Sequence, residues 1–181
     1  MNSPNAATGK DSYAVLTTSL GTIVVELLPQ AAPRTVANFI GLAKAGFYTG
    51  LVWHRIVKGF VIQTGDPNTK DAGGNRMTWG QGGGPDTVPL ETSPDAHNAT
   101  GYLGLARSND PNSGSSQFYI NVGDNSMSLD GGYAVFGRVV SGMTVVNAIA
   151  SLPVYPGGFY ADQPTDLSQA MLTGVKIQDT P

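Results

Sequence analysis

Two spacings of apolar residues alternate along the chain. Residues 13–18 and 22–28 are runs rich in Val, Ile, Leu and Thr, separated by Ser19-Leu20-Gly21, and the pair predicts a β-hairpin. The period then changes. Pro33 suits a first helical turn, Val36, Phe39, Ile40 and Ala43 recur at helical spacing, and Gly46 stops the pattern. Residues 52–57 and 60–64 are short strand candidates around Lys58-Gly59. Residues 65–100 read mostly as loop and carry Gly73-Gly74, Gly80 and Gly82-Gly83-Gly84. A loop of that length in a compact domain is usually functional or hides an unread element. Residues 102–106, 117–122 and 134–140 read as strands, and Ser141 is placed to cap a second helix carrying Met143, Val146 and Ile149 on one face. Residues 170–177 read as a last strand. About eight strands and two helices result, and a closed antiparallel barrel is the natural way to hide the strand edges.

Composition supports that picture and narrows the chemistry. Charged residues make up 13% of the 181, about half the usual share. Gly (24) and Pro (12) together are one residue in five, too many for a helical bundle. The length suits one domain, residues 13–181, behind a flexible polar tail at residues 1–12. No Cys is present, so there is no disulfide, thiol nucleophile or Cys-ligated zinc. Net charge is −3 and the basic residues are scattered, which leaves no footprint for nucleic acid. No apolar run is long enough to span a membrane. The N-terminus lacks the charged start and apolar run of a signal peptide, which makes cytoplasm the default expectation. A periplasmic or secreted protein whose leader was removed is the alternative.

Nucleophilic and metal chemistry find little support. No Gly-x-Ser-x-Gly elbow occurs. The two histidines, His54 in an apolar strand and His97 in a loop, read as a structural, hydrogen-bonded residue and an exposed one. They lie far apart without carboxylates at ligand spacing, so no metal is expected. The Gly80–Gly84 run lacks the ending of a phosphate loop and precedes no helix; it reads as a loop needing positive φ. Asn98-Ala99-Thr100 matches a glycosylation sequon by pattern alone.

What remains is a set without catalytic acids or bases: Arg55, Phe60, Val61, Gln63, Gln117, Phe118, Tyr119, Leu129 and Tyr133. Strand alternation puts Val61 and Gln63 on one face, Gln117 and Tyr119 likewise, and Phe118 with Ile120 toward a core. Phe60 is out of phase with Val61, which requires an irregular strand near Lys58-Gly59 or a place at a rim. By residue type alone, two readings stay open: a surface arginine above core aromatics, or a site.

Four ordered blocks speak to that choice. The run from Trp53 to Pro67 (Trp53-His54-Arg55-Ile56-Val57-Lys58-Gly59-Phe60-Val61-Ile62-Gln63-Thr64-Gly65-Asp66-Pro67) resembles the signature of the cyclophilins, the cyclosporin-binding class of peptidyl-prolyl cis-trans isomerases. Residues 31–39 are similar to that family's first helix, residues 114–120 to its central strand, and residues 129–139 to its pocket rim and following strand. The resemblance implies a mainly β fold, a closed eight-stranded antiparallel β-barrel capped by two α-helices. It implies Arg55 as the catalytic arginine and Gln63 as the glutamine beside it. Phe60, Val61, Tyr119 and Leu129 would wall the proline pocket, with Val61 where Met is common and Tyr119 where Phe is. Tyr133 falls where many members have His, and Gln117 matches a rim glutamine. Ala106, Arg107 and Ser108 match the strand that pairs with substrate backbone, where the best-known members have Ala-Asn-Ala. Ser128 stands where cyclosporin-sensitive members have Trp, so weak cyclosporin binding is expected. The implied partners are proline-containing polypeptides; no cofactor is needed, and a monomer is expected. The alternative is a cyclophilin-like module that binds proline segments without turnover, which would have no use for Arg55 with Gln63.

Overall fold

A computed structural model describes residues 12–181. The expected tail lies outside the described residues except for Ser12. Nine strands form one antiparallel sheet: β1 (Tyr13–Thr18), β2 (Gly21–Leu27), β3 (Leu51–Val52), β4 (Arg55–Val57), β5 (Val61–Thr64), β6 (Tyr102–Leu105), β7 (Phe118–Asn121), β8 (Val135–Ser141) and β9 (Met171–Gln178), in the order β3-β9-β1-β2-β8-β6-β7-β5-β4. The first hairpin closes tightly, with Thr18 opposite Gly21, and Thr18 Oγ1 donates to Gly21 O at 2.7 Å.

The expected strand over 52–57 is divided. Trp53 donates its N–H to Ala170 O beside β9 (2.8 Å), while Arg55–Val57 pairs with β5. β3 and β4 therefore lie at opposite ends of the sheet order yet are two residues apart in the chain. The sheet curls until its ends meet through Trp53-His54, and the ring is completed by the chain rather than by a ladder. Counting β3 and β4 as one bent strand recovers the eight expected.

Helix α1 (Pro33–Lys44) starts on proline as expected and buries Val36, Phe39, Leu42 and Ala43. Gly46 follows with φ +73°, the left-handed conformation glycine adopts without strain. The Phe39 ring sits edge-on to Phe118 (centroids 5.5 Å, 88°) and near Tyr48 and Phe136. Phe118 also meets Trp53 edge-on. These rings join one core with Leu16, Ile23, Ile62, Leu103 and Ile120, all fully buried. A short helix that the pattern did not predict, α2 (Ser126–Leu129), precedes β8. α3 (Met143–Ala150) buries Val146, Ile149 and Ala150. Its N-cap is Gly142, in the left-handed region, and not Ser141, which ends β8. The loop at residues 65–100 contains 3-10 turns at Pro67–Ala72 and Arg76–Thr78 and a bridge from Val88 to Gly114.

Candidate active site

β4, β5 and β7 lie side by side, with Arg55 opposite Gln63 and Gln63 opposite Tyr119. Period-two alternation then does the sorting. Ile62, Phe118 and Ile120 enter the core, while Val61, Gln63 and Tyr119 point to the other face. There a cavity of about 520 Å³ opens, lined by Arg55, Phe60, Val61, Gln63, Ala106, Arg107, Tyr119, Leu129 and Tyr133. Phe60 reaches it from the turn before β5: its N–H donates to Val57 O (2.9 Å), and Gly59 before it has φ +74°. The out-of-phase residue is thus at the rim, under Arg55, whose guanidinium carbon lies 5.9 Å from its ring centre.

Tyr119 is fixed from three sides. Its hydroxyl donates to Asn98 Oδ1 at 2.7 Å, and its ring meets Tyr133 edge-on at 6.1 Å. Beneath it lies Gly104, its partner on β6. A Cβ on Gly104 would fall 2.1 Å from the Tyr119 ring, so only glycine lets the tyrosine lie across β6. Burial raises the Tyr119 phenol above its ordinary range and keeps it a neutral donor. Asn98 is fully buried, which removes the sequon from any surface role. It also connects the pocket to exposed groups: Asp130 Oδ1 accepts from the Asn98 backbone at 2.7 Å, and Asp130 Oδ2 lies 2.7 Å from His97 Nδ1. His97 is exposed as expected but is engaged with that carboxylate.

Arg55 is oriented by amides. Its Nη1 donates to Gln63 Oε1 (3.3 Å) and Gln63 Nε2 donates to Gln117 Oε1 (3.0 Å). Gln117 Nε2 in turn donates to Gly80 O (3.0 Å) and Gly82 O (2.7 Å). The glycine-rich run therefore supplies carbonyls; of its four glycines only Gly80 takes the expected positive φ, +92°, while Gly82, Gly83 and Gly84 do not. Asp66, fully buried, accepts from the N–H groups of Asn68 (2.8 Å) and Gly80 and pins that run. Gln117 is not on the main cavity. Its amide is committed beneath Arg55, and it lines an adjoining recess with Gly82, Ser113, Ser115 and Ser108. Ser108 likewise faces that recess alone, and its N–H donates to Ser113 Oγ at 2.9 Å. Ala106 N–H is used by Gln117 O (2.9 Å). Of these three residues, only the Arg107 N–H has no partner among the described residues. The Arg107 side chain stacks on Tyr133 (4.6 Å) and donates to Gly132 O (2.7 Å), which braces the rim of the cavity that Arg107 lines.

Several lining residues were invisible to the sequence reading. His54 is buried at the cavity edge, with the Val52 backbone and the Gln117 side chain beside its ring and neither nitrogen in full hydrogen-bond geometry. Burial lowers its pKa, the Asp66 charge opposing this, so the ring is neutral. Trp79, Phe159, Asp162 and Gln163 complete the far wall. All lie in stretches that read as loop.

Residues 13–179 match the family model described as cyclophilin type peptidyl-prolyl cis-trans isomerase/CLD. The chain belongs to the cyclophilin family. Its activity is peptidyl-prolyl cis–trans isomerisation. Among related proteins, the peptidyl-prolyl cis-trans isomerase A of Dickeya dadantii is 35% identical, over 90% of this chain and 84% of its own. The isomerase ppi1 of Schizosaccharomyces pombe is 43% identical over 72% of this chain and 79% of its own. A Cryptosporidium parvum cyclophilin type isomerase, solved in the presence of the dipeptide Ala-Pro, superposes with a TM-score of 0.78 at 26% identity, covering 91% of this cyclophilin and 98% of that chain.

Proposed function

We propose that Arg55 is the catalytic group of this isomerase and that Phe60, Val61, Tyr119 and Leu129 hold the proline ring of a polypeptide substrate. One observation carries the assignment: an arginine, oriented through Gln63, lines one pocket together with the side chains of Phe60, Val61, Tyr119 and Leu129. An X–Pro bond resists rotation by about 18–20 kcal/mol because resonance makes the amide partly double. At the twisted transition state that resonance is lost, and the nitrogen lone pair becomes a hydrogen-bond acceptor. A donor that meets it there binds the transition state better than either planar form, which is all the reaction requires. The guanidinium is permanently charged and has five donors, of which Gln63 takes one. A donor so fixed contributes about 3–4 kcal/mol, by comparison with oxyanion-hole donors. The Arg107 peptide supports backbone pairing with the segment beside the proline.

Arg55→Ala is expected to lower kcat/KM for a proline peptide at least tenfold, in NMR exchange, with an unchanged urea midpoint. Wild-type peptide binding with no acceleration of exchange would instead establish a binding module. Proline-containing polypeptides are the substrates this pocket fits, and the Ala-Pro dipeptide present with the Cryptosporidium relative supports that class. Weak cyclosporin binding and a monomeric state are part of the proposal. Ser128 is exposed, and its hydroxyl donates back to Asn125 O, so no indole stands at the rim.

A further inference from the structure

The far wall of the cleft is built by residues 153–166, on the side of Arg55 away from Arg107. Ile56 N–H donates to Asp162 O at 2.8 Å, so this segment runs along the outer edge of β4. Across the floor the order is β6, β7, β5, β4 and then the segment. The segment is locked. Tyr155 N–H donates to Gln163 O, and Asp162 N–H to Tyr155 O, both at 3.0 Å. The Arg76 guanidinium, from the long loop, lies over Trp79 (5.0 Å), Tyr155 (5.2 Å) and Tyr160 (5.5 Å). It also donates to Gln163 Oε1 at 3.0 Å and Pro164 O at 2.8 Å. At the tip, after Gly157-Gly158, stands Phe159, 83% exposed and lining the cavity. Its aromatic neighbours share Arg76; among the described residues Phe159 has neither ring nor cation partner. A braced segment that leaves one large apolar side chain bare beside a peptide cleft has the form of a binding contact.

We propose that Phe159 recognises an apolar side chain of the substrate, aromatic or branched aliphatic, flanking the proline, and so makes this isomerase selective for prolines in hydrophobic sequence. The proposal rests on the isomerase reading of the same site. Adjacent strands are about 4.8 Å apart, so the segment lies about 10 Å from the pocket floor on β5. Extended chain covers about 3.3 Å per residue, which places the recognised side chain within about three residues of the proline. The unbroken cavity from Tyr119 to Phe159 names the occupant as the same peptide.

The test uses the full chain and short alanine peptides with one proline. A single Leu or Phe is moved through three positions on either side. Exchange rates give kcat/KM, and chemical-shift titration gives Kd independently of turnover. In the wild type, the apolar residue should improve both quantities about five- to tenfold at positions on one flank, the scale of a small apolar contact. Phe159→Ser should bring that ratio below twofold. Absence of any positional preference in the wild type, or a preference that survives Phe159→Ser, overturns the proposal. So does self-association of the chain that Phe159→Ser abolishes while selectivity stays. Exchange absent for every peptide, with the Kd preference intact, would count against the isomerase reading and leave the role of Phe159 standing.

Discussion

Gln117→Met tests whether Arg55 works because it is positioned. Methionine keeps the length and nearly the volume of glutamine and deletes three hydrogen bonds: those to Gly80 O (3.0 Å) and Gly82 O (2.7 Å), and that from Gln63 Nε2 (3.0 Å). Each is worth about 0.5–1.5 kcal/mol net. Gly80 is exposed and Gly82 partly so, and their carbonyls regain water. The expected loss of stability is therefore about 1–2 kcal/mol, not the full sum. The effect on rate has a separate origin. Gln63, no longer fixed by its NH2, is free to turn that group toward the guanidinium, and Arg55 then samples several rotamers. Ordering one such side chain is worth about 0.5–1.5 kcal/mol, which translates to roughly a three- to tenfold fall in kcat. Gln117 does not line the proline cavity, so KM and peptide Kd should change less than twofold. NMR exchange gives the rates and a urea titration the stability. The decisive arm is the Arg55→Ala background, where Gln117→Met should slow exchange no further. An equal factor in both backgrounds would show that Gln117 acts apart from Arg55. A wild-type kcat in the single variant would show that Arg55 needs no amide chain behind it.

Two further outcomes follow from the same geometry. Gly104→Ala places a methyl against the Tyr119 ring, and should cost about 1–3 kcal/mol by overpacking and raise KM as the Asn98 bond breaks; Tyr119→Leu in the same chain should recover part of the stability, and an unaltered urea midpoint in Gly104→Ala would refute the packing argument. For His54, the folded pKa is depressed by burial below the unfolded value of about 6.5. Below that pH the unfolded chain takes up a proton the folded chain excludes, so stability falls as pH drops, by up to about 1.4 kcal/mol per unit until the folded pKa is reached. Asp130 is depressed as well, and its contribution is lost only below about pH 4. Urea midpoints at pH 7.5 and 5.0 should differ in the wild type and converge in His54→Gln; equal wild-type midpoints would remove the buried neutral imidazole from the account.

The part of the site on β5 and β7 was legible because alternation is a local property. Val61, Gln63 and Tyr119 were separated from Ile62, Phe118 and Ile120 by parity alone, and Phe60 was marked irregular by the same rule. The division of residues 52–57 was not legible. Trp53 and His54 are as strand-compatible as their neighbours, and the break is decided by what each half pairs with, β9 for one and β5 for the other. The far wall was hidden for a similar reason. Arg76 and Gln163 are 87 positions apart, and each sits among turn residues that carry no period. His97 read as merely exposed because its carboxylate, on Asp130, comes from beyond β7. Gln117 was assigned a place at the rim from its motif; only the carbonyls of Gly80 and Gly82 reveal that it faces Arg55 from beneath.

The choice of amides around Arg55 has a chemical reason. A carboxylate in the place of Gln63 would take two guanidinium donors in a bidentate pair and hold its charge against an anion. The group would then be well ordered and poorly available, since meeting the twisted amide would require breaking a charge-assisted bond. Gln63 Oε1 accepts one donor at 3.3 Å, a long and neutral contact, which orients the fork and leaves its charge and other donors toward the cleft. Among the described residues no carboxylate forms an ion pair with Arg55. The order that a salt bridge would have supplied comes instead from the backbone, through Gln117, to carbonyls that cannot themselves be protonated. The support behind Arg55, two side-chain amides and two backbone carbonyls, therefore holds no titratable group. Isomerisation, which transfers no proton, loses nothing by that arrangement, and on this account the rate should follow the pH of folding alone.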